Sequence, residues 1–284
     1  METLFRLLSR VPLCLLHGVG NVLGWLVFVF SPVYRHRFLD NAAQAGIGWR
    51  QWLPAVGHAG KMVAELPRLW LGRPVRIVWE GEDHMVAALK SGQGLVCLTP
   101  HLGSFEITAQ AYAQRYGQGA QAVTVLFRPA RQAWLRGLVA QARQRPGLKT
   151  APTSLSGVKQ LIKALRAGQT VGLLPDQVPP FGLGVMSPFF GREAYTMTLS
   201  ARLVQQTGAS VVLIWGERLS WGRGYRVRVQ PLAQDLPGEL DAAVKLVNQA
   251  MQEMILQCPQ QYLWGYARYK IPRPIDLPSG QSAT

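Results

Sequence analysis

The chain has 284 residues, 48% hydrophobic and only 16% charged, with 30 Lys+Arg against 15 Asp+Glu and a formal charge of +15. That length supports one large domain with a sizeable core, and so apolar a composition excludes a disordered chain. The surplus of positive charge asks for an anionic partner. With so few charged residues in all, a membrane face or acidic substrates and carriers fit better than nucleic acid.

In chain order, Arg6 and Arg10 precede an apolar run over 11–33, and Arg35, His36 and Arg37 follow it. The run is about as long as a bilayer core requires, roughly 20 residues. No small-residue cleavage site precedes the basic cluster, which argues against a removed signal peptide. Three readings stay open: a single membrane anchor, an interfacial helix, and an apolar helix packed on the domain. Membrane attachment is favoured, and Arg35 and Arg37 put the body of the protein on the cytoplasmic side. Residues 38–74 read as helical and rich in aromatics, including Trp49, Trp52 and Trp70, either as a packed hairpin or as a headgroup-level surface.

From there strands and helices alternate. Strands are expected at 76–80, 95–99, 122–127, 170–174 and 211–215, and a half-exposed one near a sheet edge at 225–229. Helices are expected at 84–90, 105–116, 132–144, 158–165, 198–207 and 240–255. Val158, Leu161, Ile162 and Leu165 form one apolar stripe, with Ser154 or Ser156 as cap and Gly168 as stop. Seven of the 17 positions in 175–191 are Pro or Gly, so that stretch reads as a loop. Such alternation predicts an α/β fold: a central, mostly parallel or mixed sheet flanked by helices. The expected organisation is a membrane-associated helix over 1–37, the α/β domain over 38–272 and a Pro/Ser/Gly-rich flexible tail over 273–284.

The cysteines, Cys14, Cys97 and Cys258, are far apart and form no CxxC or Cys/His cluster. No disulfide framework, metal site or cofactor is expected, and the pattern fits a reducing compartment. Cys97 lies inside an apolar strand and reads as a buried, inert thiol rather than a nucleophile.

The strand at 95–99 ends at Pro100 and presents His101; Gly103 and Ser104 then lead into a helix carrying Glu106. Five helical residues turn about 500°, so His101 and Glu106 share no helix face. They can meet only with His101 before the helix and Glu106 in its first turn, Ser104 acting as N-cap. Glu106 would then accept from Nδ1–H of His101 and leave Nε2 free as a base toward a hydroxyl. The alternative is a structural histidine beside a capping glutamate.

The run Thr99-Pro100-His101-Leu102-Gly103-Ser104-Phe105-Glu106 resembles the first block of the lipid A biosynthesis (lauroyl/myristoyl) acyltransferases, within the glycerophosphate and lysophospholipid acyltransferase group. Phe127-Arg128-Pro129, Gly172-Leu173-Leu174-Pro175-Asp176-Gln177, Pro188-Phe189-Phe190-Gly191-Arg192 with Thr196-Met197-Thr198, and Pro259-Gln260-Gln261-Tyr262-Leu263-Trp264 resemble further blocks in the family's order. The resemblance covers roughly residues 5–270. It implies transfer of a fatty acyl chain from an acyl carrier protein (or CoA) thioester to a hydroxyl of a lipid A precursor, at the inner membrane and without a covalent intermediate. By that mapping His101 is the general base and Glu106 orients it. Arg128 binds phosphate or stabilises developing charge, and Asp176 with Gln177 shapes the site. Phe189, Phe190, Gly191 and Arg192 line the acceptor or acyl channel.

Between Glu106 and Asp176 there is no acidic residue, against ten Arg or Lys. Such a half-domain suits an acidic carrier protein and a phosphorylated glycolipid. Two alternatives remain: an acyltransferase for a lysophospholipid or other membrane lipid, and a non-enzymatic basic protein of membrane surfaces or nucleic acid. Against the last, the signatures of nucleic-acid binding are missing.

Overall fold

The computed structural model describes residues 2–118, 121–127, 137 and 145–272. Its centre is a seven-stranded sheet in the order β1-β9-β8-β2-β5-β3-β4. The strands are β1 (Ile77–Glu80), β2 (Leu95–Leu98), β3 (Val123–Phe127), β4 (Leu148–Pro152), β5 (Thr170–Leu173), β8 (Ser210–Arg218) and β9 (Tyr225–Pro231). Five neighbours, β8-β2-β5-β3-β4, run parallel. β9 is antiparallel to β8, and β1 follows β9. The sheet is thus mostly parallel and mixed at one side, as the alternation of strands and helices implied.

Parallel strands need both faces covered. Along β2, Val96 and Leu98 pack into one buried cluster and Leu95 and Cys97 into the other. The first face is covered by α3 (Pro32–Gln44), α4 (Trp49–Ala64), α8 (Leu155–Arg166), α9 (Leu199–Thr207) and α10 (Leu240–Gln257). The second is covered by α5 (Leu66–Leu71), α6 (Glu82–Lys90) and α7 (Phe105–Tyr116). The α8 stripe and the Ser154 cap position fall where the spacing put them.

α1 (Glu2–Leu8) leads to α2 (Leu13–Phe30), an 18-residue helix long and apolar enough to cross a membrane by length and composition. One face of α2 docks on α4 through small residues. A Cβ on Gly60 would lie 1.9 Å from the Gly20 carbonyl oxygen, and one on Gly24 would lie 2.3 Å from that of Val56. Only glycine permits so close an approach, as in small-residue helix contacts within membranes. The opposite face leaves Leu15, Val19, Val22, Leu26, Val29 and Phe30 exposed. Phe28 joins the core cluster that holds Phe38 and Trp215.

Two expectations change. The stretch over 175–191 is not all loop: β6 (Gly184–Phe189) pairs antiparallel with β7 (Arg192–Met197). Phe190 (φ 49°) and Gly191 (φ 75°) form the two-residue turn between them, the backbone that type I′ hairpins require. β4 was not foreseen. β9 lies one strand in from the edge, with Tyr225, Val227 and Val229 buried and Arg226, Arg228 and Gln230 half-buried between them, as their alternation implied. The helix expected at 132–144 falls almost entirely outside the described residues, as do the tail after 272 and Arg128.

Candidate active site

β2 and β5 are parallel neighbours whose partners differ by 75 in number, Leu95 with Thr170 through Leu98 with Leu173. The same offset carried past the strand ends pairs His101 with Asp176. Both therefore emerge side by side at the carboxyl ends of parallel strands, where open α/β sheets place their sites.

Asp176 is 1% exposed. Its Oδ1 lies 2.8 Å from His101 Nδ1, and its Oδ2 accepts the His101 backbone N–H at 2.9 Å. Tyr262 donates its hydroxyl to the same Oδ2 at 3.3 Å. Burial alone would favour the neutral acid. The charge and hydrogen bonds of His101, with Arg268 farther off, outweigh it, and the carboxyl sits below its usual value. An ionised Asp176 can only accept, so Nδ1 carries a ring proton, and in the neutral imidazole Nε2 holds the lone pair. Nε2 faces the side-chain amide nitrogen of Gln177 at 3.0 Å, which donates to it in that tautomer.

Glu106 does lie in the first turn of α7, with Ser104 at the N-cap, but Ser104 makes no capping bond through its side chain. Nor is Glu106 the partner of His101 Nδ1: that place belongs to Asp176. Glu106 Oε2 accepts instead from Trp70 Nε1 at 3.2 Å. The reason is geometric. Gly103, at φ 58°, turns the chain so that Ser104 N–H reaches the Gly216 carbonyl, and Glu106 then faces Trp70 of α5 rather than the histidine. The ring of Phe105 packs on His101, centroids 4.8 Å apart.

The C-terminal block supports the histidine loop from below. Gly103 N–H donates to the Gln261 carbonyl at 3.0 Å, and Leu102 bridges Tyr262. Behind this lies a buried ionic cluster. Arg218 reaches Glu65 through Nε at 2.7 Å and Nη2 at 2.8 Å, and Nη2 also holds the Gly103 carbonyl. His17 and Tyr225 bond the same Glu65 carboxylate. Sequence reasoning missed Tyr262, Glu65 and Arg218. Tyr262 could have been found in the quoted C-terminal block; nothing in the sequence spacing pairs the other two, Glu65 and Arg218, 153 positions apart.

Phe189 is 2% exposed and packs in the core beside Phe190 and Trp264. Phe190 donates its N–H to Gln252 and offers its carbonyl to Gln44, so α10 and α3 clamp the turn. Arg192 is exposed, 3.3 Å from Asp40. This block therefore builds a hairpin and does not line the apolar cavity beside Phe105. The apolar cavity lies elsewhere, about 90 Å³ between α7 and the sheet, lined by Phe105, Ala109, Tyr112, Val125, Gly172 and Leu174 among others. Glu106 and Trp70 stand on its wall. Cys97 also lines it, and burial pushes that thiol up to about 12, so it is protonated and inert. No group of three or more His, Cys, Asp or Glu suited to a metal occurs among the described residues.

The family described as "Bacterial lipid A biosynthesis acyltransferase" matches residues 55–271. Among curated proteins, the chain is 23% identical over 197 residues to the lipid A biosynthesis palmitoleoyltransferase of Escherichia coli K12, covering 69% of this chain and 62% of that protein. It is 25% identical over 201 residues to the lauroyltransferase of the same organism, covering 70% and 63%. To the phosphatidylinositol mannoside acyltransferase of Mycobacterium tuberculosis H37Rv it is 28% identical over 218 residues, covering 74% and 61%. The chain thus spans somewhat over three-fifths of the length of these relatives. With the family matched across most of its length, the chain belongs to the bacterial lipid A biosynthesis acyltransferases.

Proposed function

We propose that this protein is an O-acyltransferase that moves a fatty acyl chain from an acyl carrier protein thioester to a hydroxyl of a phosphorylated glycolipid of the lipid A type. The observation that carries the reading is the His101–Asp176 pair at the carboxyl ends of β2 and β5, beside an apolar cavity.

In this mechanism the acceptor hydroxyl displaces the Gln177 amide from His101 Nε2. Nε2 takes the hydroxyl proton as the oxygen attacks the thioester carbonyl carbon. Asp176 holds the ring in the productive tautomer and stabilises the imidazolium that forms. The tetrahedral oxyanion collapses, the C–S bond breaks, and the imidazolium returns its proton to the departing sulfur. Products are the ester and the carrier thiol; no covalent enzyme intermediate forms. Arg128 and the first amides of α7 are the proposed stabilisers of the oxyanion. Glu106 acts one step removed, fixing with Trp70 the wall along which the acyl chain lies in the α7 cavity.

The protein works on a membrane surface, the inner membrane in this reading. α2 is bound to α4, which carries Arg50 and Lys61, so a crossing by α2 would draw those charges toward the bilayer. Laid flat, α2 sets its exposed apolar face into the headgroup boundary. The basic surface would meet the acidic carrier.

Purified protein given acyl carrier protein loaded with a radiolabelled acyl chain and a panel of acceptors tests the reading: a lipid A precursor, a lysophospholipid and a mannosylated phosphatidylinositol. Label on the lipid A precursor is expected. Label on only one of the others replaces the acceptor, and label on none refutes acyl transfer.

A further inference from the structure

A second cavity, about 680 Å³, opens between the amino-terminal half of α2, α4 and the turn joining β8 to β9. Its wall includes His17, His58, Lys61, Arg218, Arg223 and Gln261. Arg218 is 3% exposed. Glu65 engages its Nε and Nη2, but Nη1 is buried without a hydrogen-bond partner. His58 Nδ1, on the same wall, is likewise unpartnered. Buried polar groups are nearly always satisfied, so an acceptor reaching Arg218 and His58 from this cavity would complete both.

The charges point the same way. Glu65 is taken up by Arg218, His17 and Tyr225. Glu217, also on the wall, is taken up by Arg226 and Arg228. Lys61 and Arg223 pair with no carboxylate among the described residues; Arg223 folds back on Ser220 instead. Among these polar residues the wall also carries two large apolar side chains, Leu219 and Trp221. Trp221 is 87% exposed in a left-handed conformation, φ 59°. A Cβ on Gly222 would lie 2.3 Å from the Cys14 amide nitrogen, so the turn presses on α2.

We infer that this cavity binds the phosphate of a lipid headgroup, held by Arg218, Lys61 and Arg223, with Trp221 beside the lipid's apolar part. The site is separate from the His101–Asp176 pair and goes beyond the proposed reaction, since it requires a phospholipid but no acyl transfer. Arg218 ties it to that pair structurally, because the guanidinium that would face the phosphate also holds the Gly103 carbonyl in the histidine loop.

The test is calorimetric titration of the full chain in uncharged detergent with dihexanoyl phosphatidic acid, dihexanoylglycerol and inorganic phosphate. Arg218 is left intact, because its loss would strand buried Glu65. Phosphatidic acid is expected to bind, and Lys61→Gln with Arg223→Gln to weaken it at least about tenfold, the effect of losing one charge-assisted hydrogen bond. Lys90→Gln, an exposed change on α6, should stay within about twofold, which controls for net charge alone. Equal affinity in the double variant, or an equal loss in Lys90→Gln, overturns the proposal. So does inorganic phosphate binding as tightly as the lipid, which would make the ligand a free anion. His101→Ala should bind phosphatidic acid like the parent. Wild-type protein that binds the lipid but acylates nothing would refute the proposed reaction and leave this site standing.

Discussion

Replacing Asp176 by Asn changes one atom and separates orientation of the base from its presence. Asp176 accepts two bonds from the same residue, Nδ1–H at Oδ1 and the backbone N–H at Oδ2, and a third from Tyr262. Asparagine has one acceptor oxygen. The fixed backbone N–H and the Tyr262 hydroxyl claim it, which turns the amide N–H₂ toward Nδ1. Nδ1 must then accept, the proton moves to Nε2, and the base is lost. A wrong tautomer of this kind costs ~10³–10⁴-fold in kcat, or about 4–5.5 kcal/mol of barrier. The substituted site also loses its charge-assisted bonds, at about 1–3 kcal/mol of stability. The assay is turnover with acyl carrier protein thioester and acceptor, together with ¹⁵N spectra of the imidazole. The expected result is a kcat loss of at least about a thousandfold with KM within about threefold, a folded protein and an Nε2–H signal. An Asp176→Asn enzyme within tenfold of the parent, or one that keeps Nδ1–H, refutes the reasoning.

Glu106 gives the contrasting case: Glu106→Ala lowers turnover yet leaves the His101 tautomer at Nδ1–H, and a tautomer change would return Glu106 to the histidine. Stability should fall with acid. Burial opposes ionisation of Glu65, but Arg218 and His17 outweigh it and bring it down to about 2 from 4.5, while burial, with Arg218 beside it, brings His58 down to about 2 from 6.5. Both groups bind protons more readily unfolded, so their contributions are full above 6.5, shrink below it and shrink faster below 4.5. A Tm that is flat or rising between pH 6.5 and 4 contradicts this. Gly60→Val drives a side chain into the Gly20 carbonyl of α2. It should cost about 1–3 kcal/mol, visible as a lowered Tm; an unchanged Tm would mean that α2 is not docked there.

Much of the fold was legible because burial dictated composition. β2 is four apolar residues, all buried, and α8 shows its inward stripe directly. The hairpin β6–β7 was hidden by Pro188, Gly184 and Gly191, residues that usually break strands; here the strands lie outside the main sheet, where proline is tolerated. β4 was hidden because Lys149, Thr150 and Pro152 are exposed and only Leu148 and Ala151 face the core. At the site, His101 was legible as the residue a buried strand delivers. Its partner was not, since the 75-residue offset to Asp176 acquires meaning only once β2 and β5 are known to be neighbours. Glu106 lay closer in sequence, and local spacing favoured it over a residue that tertiary register supplies.

The central claim is that His101 is the base of an acyl transfer. Its most direct test is mass spectrometry of the acceptor lipid after incubation with acyl carrier protein thioester and either wild-type or His101→Ala protein, with folding of both checked by circular dichroism. The account predicts a mass gain of one acyl chain with wild type and none with the folded variant. Equal acylation by both would contradict it.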